Sequence, residues 1–131
     1  MNFEKYIGIP YKNHGRDFNG ADCWGLVWMF LSNEMFLDYK NIQEYRDDKD
    51  IFTIERHIIS NIKEYWEPIT IPQQGNIVLF RFRDRLIHMG IVIDRNSFLH
   101  TIKGLNSCVE RFSSPKWQTR IGGYYGIRTS R

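Results

Sequence analysis

The sequence is short of cysteine, of long apolar runs and of charge imbalance, and each shortage removes a class of protein. Two cysteines among 131 residues, Cys23 and Cys108, make neither a disulfide framework nor a zinc-binding spacing. No apolar run approaches membrane-spanning length, so no membrane insertion is expected. Met1-Asn2-Phe3-Glu4-Lys5 lacks the apolar core of a signal peptide, which points to synthesis in the cytoplasm without a leader. Eighteen basic against 15 acidic residues leave a net charge of +3, too mild to imply nucleic acid. Arg111, Lys116, Arg120, Arg128 and Arg131 tilt the last quarter basic, which reads as a solvated face. Internal repeats and low-complexity segments are also missing.

What is present is apolar: 42% of residues are hydrophobic and 15% aromatic, enough for one core. The expectation is a single domain over residues 1–131, organised around Asn19-Gly20-Ala21-Asp22-Cys23-Trp24-Gly25-Leu26-Val27. Asn19 and Asp22 are both candidate helix caps. Leu26, Val27, Phe30 and Leu31 then recur at helical spacing, over a helix from about Asp22 to Asn33 that is apolar on nearly every side and therefore central. Cys23 falls in its first turn, where free N–H groups and the helix dipole favour a thiolate. A buried cysteine acting as a small hydrophobe is the alternative.

Before this helix, residues 3–11 suggest a short helix broken at Gly8-Ile9-Pro10, and Lys12 to Gly20 a surface loop. After it, Asp38 to Asp50 is charged and aperiodic. Ile51, Ile54, Ile58, Ile62 and Tyr65 mark a second helix, with Asp50 as candidate cap and Pro68 as its stop. His57 beside that stripe reads as a surface or half-buried residue. From Asn76 the period becomes two. Strands are predicted at Asn76–Arg81, Leu86–Ile93, Ser97–Ile102 and Ser107–Phe112, with Ile121–Arg128 as a closing edge strand. Cys108 is expected to be structural. Helices followed by an antiparallel meander make an α+β fold.

The meander carries His88 and His100. A two-residue turn at Arg95-Asn96 pairs Asp94 with Ser97 and puts the two histidines on opposite faces. A three-residue turn pairs Ile93 with Ser97, sets Gly90 opposite His100, and leaves the histidines as diagonal neighbours on one face, about 7–8 Å apart. Gly90 would then make room for a ring. In that geometry His88 takes the Cys23 proton to form a thiolate–imidazolium pair, and His100 fixes the His88 tautomer. The thiolate attacks an amide carbonyl, with the Cys23 N–H and Tyr11 as candidate oxyanion donors. A zinc site built on the same cysteine and histidines is disfavoured for want of a fourth ligand.

Tyr6-Ile7-Gly8-Ile9-Pro10-Tyr11, Asp22-Cys23-Trp24-Gly25-Leu26-Val27, Gln74-Gly75-Asn76-Ile77-Val78-Leu79-Phe80, His88-Met89-Gly90-Ile91 and Phe98-Leu99-His100 together resemble the NlpC-type cell-wall peptidases. These are papain-like cysteine peptidases that cut peptidoglycan stem peptides. The resemblance implies Cys23 as nucleophile, His88 as base and His100 as orienting residue. It implies Tyr11 in the oxyanion site, Asp22 in substrate binding, and no metal or other cofactor. Residues 38–68 lack a clear counterpart and read as a helical insertion. Many members carry serine after the cysteine, where it helps bind the substrate's amino end; Trp24 replaces it here. A tryptophan there resembles the branch found in tails of bacteriophages and gene-transfer particles. The implied protein is a virion component acting on the host wall beside other tail proteins. The alternative is a structural tail-tip subunit with a vestigial site.

Overall fold

The computed structural model describes residues 2–37 and 41–128; the first residues of the expected 38–50 loop, and Arg131, lie outside the described residues. After a 3-10 turn at Glu4–Tyr6 the elements run β1 (Arg16–Asp17), β2 (Gly20–Ala21), α1 (Cys23–Glu34), α2 (Ile51–Glu64), β3 (Trp66–Ile69) and β4 (Ile77–Phe82). β5 (Arg85–Asp94), β6 (Ser97–Ile102), β7 (Leu105–Arg111), α3 (Pro115–Gln118) and β8 (Ile121–Ile127) complete the order. The arrangement is α+β, with helices packed on an antiparallel six-stranded sheet of order β3-β8-β4-β5-β6-β7.

The first turn of α1 is held by Asp22, whose Oδ1 accepts the Gly25 N–H at 2.8 Å. Asn19 is not a cap; its own N–H donates to Asp17 Oδ1 at 2.9 Å in the β1–β2 turn. The residues expected to ring α1 with apolar surface are buried: Trp24, Leu26, Val27, Met29, Phe30 and Leu31. The helix is enclosed by β5 and β6 on one side and the β1–β2 hairpin on another.

Four further expectations need correction. The Lys12–Gly20 stretch is not a plain surface loop, because it folds back as β1 and β2 and brings Arg16 against Asp22. Asp50 stands at the α2 N-cap position, but its carboxylate accepts the Arg46 N–H at 3.0 Å and makes no side-chain bond to the helix backbone. Pro68 does not stop a helix; α2 ends at Glu64 and Pro68 lies in β3, an edge strand, where a missing N–H does least harm. Ile121–Ile127 is not an edge, since β8 is hydrogen-bonded between β3 and β4. The segment read as an insertion contributes to the core: Ile42, Tyr45, Ile54, Ile58 and Trp66 join the same buried cluster as α1.

Strand alternation builds a second cluster on the other sheet face from Val78, Phe80, Val92, Phe98, Phe112 and Trp117. Both faces of β4 are thus covered, which explains its unbroken Ile77-Val78-Leu79-Phe80 run. The β5–β6 hairpin combines both expected geometries. Asp94 pairs with Ser97 across a two-residue turn, and a bulge at Ile93 then shifts the register so that Ile91 faces Leu99. Continued, that register sets Gly90 opposite His100. A Cβ at Gly90 would meet Leu99 O at 2.8 Å and His100 Cβ at 3.2 Å, so glycine is required where the histidine strand passes.

Gly25 is a second such position. A Cβ there would lie 2.0 Å from the Gly15 carbonyl oxygen, a backbone atom with little freedom to yield. In an open helix, alanine is favoured over glycine by about 1 kcal/mol. Gly25→Ala is expected to lose stability instead, by about 1–3 kcal/mol as overpacked sites do. Urea unfolding measures this, and a stabilised variant would mean that the hairpin is not pressed against α1.

Candidate active site

A cavity of about 290 Å³ opens where the two clusters meet. Ile54 and Ile87 line it from the first cluster side and Phe82 and Ile102 from the second, together with Tyr11, Asp22, Cys23, Trp24, Tyr45 and His88. Five of the six residues singled out in the sequence therefore share one cavity. The sixth, His100, stands behind His88 and is wholly buried.

Cys23 is half-buried at the first position of α1, and its sulfur takes a hydrogen bond from the backbone N–H of Met89, the residue after His88. Burial pushes the thiol up to about 12, and the Asp22 carboxylate adds to the rise. The Met89 N–H, the Arg16 charge and the Trp24 N–H favour the thiolate but do not offset those effects. The expectation that the helix start yields a thiolate is corrected accordingly. Desolvation and the Asp22 charge outweigh the two N–H contacts and the Arg16 charge here.

The two histidines meet as the bulged register requires, with His88 Nε2 and His100 Nδ1 2.8 Å apart. Phe80, Phe98 and Trp117 pack around the pair, with ring centroids 4.8–5.6 Å from one or other imidazole. Burial first, then the His100 and Lys116 charges, holds the His88 imidazole well below its ordinary range. Burial also lowers His100, against an opposing pull from Glu110. At neutral pH the resting site is thus a thiol facing neutral imidazoles, not an ion pair.

Asp22 is 3% exposed and its carboxylate is saturated. Oδ1 accepts Gly25 N–H and Arg16 Nη1, each at 2.8 Å; Oδ2 accepts His14 N–H at 2.9 Å and the Tyr45 hydroxyl. All four acceptor positions are used. Burial and the Asp22 charge raise the Tyr45 phenol, which stays a donor. Tyr11, half-buried, is raised by burial and by the neighbouring Cys23 and Asp22 charges, so it too keeps its proton at the cavity wall. Trp24 is buried against His57 and Trp66, and its enclosed indole N–H has no partner among the described residues, so it shapes the wall without offering a hydrogen bond.

Two participants escaped the sequence reading. Arg16 lies in the Lys12–Gly20 stretch read only as a surface loop, yet its guanidinium reaches Asp22, the Gly15 and Ile42 carbonyls, Asn41 and the Tyr45 hydroxyl. Glu110, inside the predicted Ser107–Phe112 strand and given no role there, has its carboxylate 2.6 Å from His100 Nε2. Cys108, expected to be a plain strand residue, is half-buried beside both: among the described residues, His100, Cys108 and Glu110 place ligand atoms within 4.8 Å of one another. That group suits a cation poorly. The His100 nitrogen is already engaged by Glu110, and the Lys116 charge acts on both His100 and Cys108.

A thiol at a helix start, against a sheet that carries paired imidazoles, defines the class of thiol–histidine sites. The particular family follows from the sequence: the profile of the NlpC/P60 family matches residues 8–125, and the chain belongs to that family. It is 30% identical over 95 residues to the probable peptidoglycan endopeptidase LytE of Bacillus subtilis (strain 168), a match covering 72% of this chain but 23% of that relative. The chain therefore spans about a quarter of LytE. Among solved structures, its fold is similar to the NlpC/p60 domain of peptidoglycan hydrolase SagA, with TM-score 0.63 and 16% identity over 95% of this chain and 91% of that one. It is also similar to a lipoprotein-like NLP/P60 protein of Staphylococcus aureus subsp. aureus Mu50, with TM-score 0.65 and 19% identity over 96% of this chain and 39% of that one.

The Arg16–Asp22 pair is the site's support, with the two side chains 10% and 4% exposed. Removing one member of a buried pair leaves an uncompensated charge and costs about 3–5 kcal/mol. Arg16→Met is expected to lose stability on that scale, and adding Asp22→Asn to recover part of it. Urea unfolding of both variants measures this; additive losses would show that the two groups are not coupled.

Proposed function

We propose that this chain is a cysteine peptidase that hydrolyses amide bonds in peptidoglycan stem peptides. The observation that carries the reading is the hydrogen-bonded His88–His100 pair at the wall of the Cys23 cavity. Membership of the NlpC/P60 family supports it, as does the likeness to a relative named as a probable peptidoglycan endopeptidase. The cavity mouth carries an exposed carboxylate, Asp48, and an exposed ammonium, Lys103, which suit a peptide bearing both amino and carboxylate groups.

In this reading Cys23 Sγ attacks the amide carbonyl as its proton passes to His88. Since His88 Nε2 is engaged by His100, the accepting atom is Nδ1. The new S–C bond leaves an oxyanion, held by the Cys23 N–H and the Tyr11 hydroxyl. Collapse breaks the C–N bond, and His88 returns the proton to the leaving amine. Water then attacks the thioester, His88 takes its proton, and release of the carboxylic acid restores the thiol. Because the resting pair is neutral, His88 acts as a general base during attack.

Trp24, where many members have serine, narrows the cleft, and with Asp22 saturated the substrate's amino end is read by other groups. We place the protein in a bacteriophage tail, acting on the host wall beside other tail proteins, on the strength of that tryptophan. The test is mass spectrometry of stem peptides after digestion of purified wall. Wild type is expected to release new peptides, Cys23→Ala none, and His88→Ala to be slower by about 10²–10⁴-fold. Equal release by wild type and Cys23→Ala would overturn the peptidase reading, and normal infection by Cys23→Ala particles would favour a structural tail subunit.

A further inference from the structure

Among the described residues, Glu110 is the one charged side chain in direct hydrogen-bond contact with the histidine pair, and the reaction as written does not use it. It lies on β7, where Phe98 pairs with Glu110 and His100 with Cys108. Glu110 is thus the diagonal neighbour of His100 on the same face, and its carboxylate reaches His100 Nε2 at 2.6 Å while the side chain keeps 27% exposure. We propose that Glu110 is a positioning residue that sets the tautomers of both histidines and so decides which nitrogen of His88 is left as the base.

The argument is an accounting of protons. A neutral imidazole carries one N–H, and an ionised carboxylate only accepts. Glu110 therefore requires the His100 proton on Nε2, leaving a lone pair on Nδ1. The 2.8 Å contact between that lone pair and His88 Nε2 then requires the His88 proton on Nε2. His88 Nδ1 is left unprotonated, the form that can accept the Cys23 proton. The opposite chain, with His100 Nδ1 donating to His88 Nε2, satisfies the same contact but puts a proton on His88 Nδ1 and removes the base. Without a carboxylate behind His100, nothing in the pair itself chooses between the two. Burial keeps both rings from water that could otherwise satisfy either tautomer, since His88 is 4% and His100 0% exposed. The same carboxylate faces the imidazolium that forms during attack and stabilises it through His100, with no proton passing to Glu110.

This inference rests on the peptidase reading for its catalytic consequence but not for its tautomer claim, so two readouts separate them. In the full chain at neutral pH, histidine ¹⁵N shifts are expected to show His88 Nδ1 unprotonated and Nε2 protonated. Glu110→Gln keeps the shape and can still accept from His100, but its amide can also donate, so both tautomers should appear. In that variant kcat on stem peptides is expected to fall by about 10- to 100-fold, as when a group orienting a histidine is lost, with KM unchanged. Glu110→Asp, which keeps the carboxylate, should recover most of the rate and the single tautomer. A wild-type proton on His88 Nδ1 overturns the inference. So does Glu110→Gln that leaves the ¹⁵N shifts unmoved, or that moves them without lowering kcat. If wild type cleaves no stem peptide, the functional reading fails by itself and the nitrogen shifts still decide the role of Glu110.

Discussion

The Asp22 carboxylate is the constraint on which the site depends. A buried carboxylate is tolerated only when its acceptor positions are filled, and here they are filled from separate parts of the chain. Gly25 comes from α1, His14 and Arg16 from the hairpin side, and Tyr45 from the segment before α2. One side chain therefore caps α1, fixes Cys23 at its first position, and ties two connecting segments to the cavity wall. Gly25 lets the hairpin backbone approach closely enough for this to happen.

The same arrangement sets the electrostatics. With the Asp22 charge nearby and little water around it, the thiol is held protonated, and the aromatic wall around His88 and His100 holds those rings neutral. A charged resting pair would have to overcome the desolvation of both members. A neutral pair avoids that cost. Arg16 moderates the arrangement: it pairs with Asp22 and its own field favours the thiolate.

Local signals were legible in the sequence and long-range ones were not. The cap at Asp22, the all-round apolar α1, the Ile54–Ile58 stripe of α2 and most strand limits follow from periodicity and capping, and the structure has them. The β5–β6 hairpin was half legible. Side-chain alternation offered two registers, and a bulge at Ile93, which leaves no mark in composition, combines the turn of one with the register of the other. Trp66–Ile69 was hidden because four residues containing a proline, directly after a helix, carry too little pattern to read as a strand. Arg16 and Glu110 were missed for a shared reason. Each is an ordinary surface charge by sequence, and each acquires its partner only when a distant segment folds against it. The helix start that favours a thiolate is visible in sequence, whereas the desolvation that pushes the thiol up is a property of the packed molecule.

The central claim is that Cys23 and His88 rest as a neutral pair. The most direct test is the rate at which iodoacetamide alkylates Cys23 from about pH 5 to about pH 10, read on the Cys23 peptide by mass spectrometry so that Cys108 does not contribute. With the thiol pushed up to about 12, the rate is expected to climb throughout that range without levelling. A plateau across neutral pH that disappears in His88→Ala would mean a thiolate–imidazolium pair, and would contradict the account.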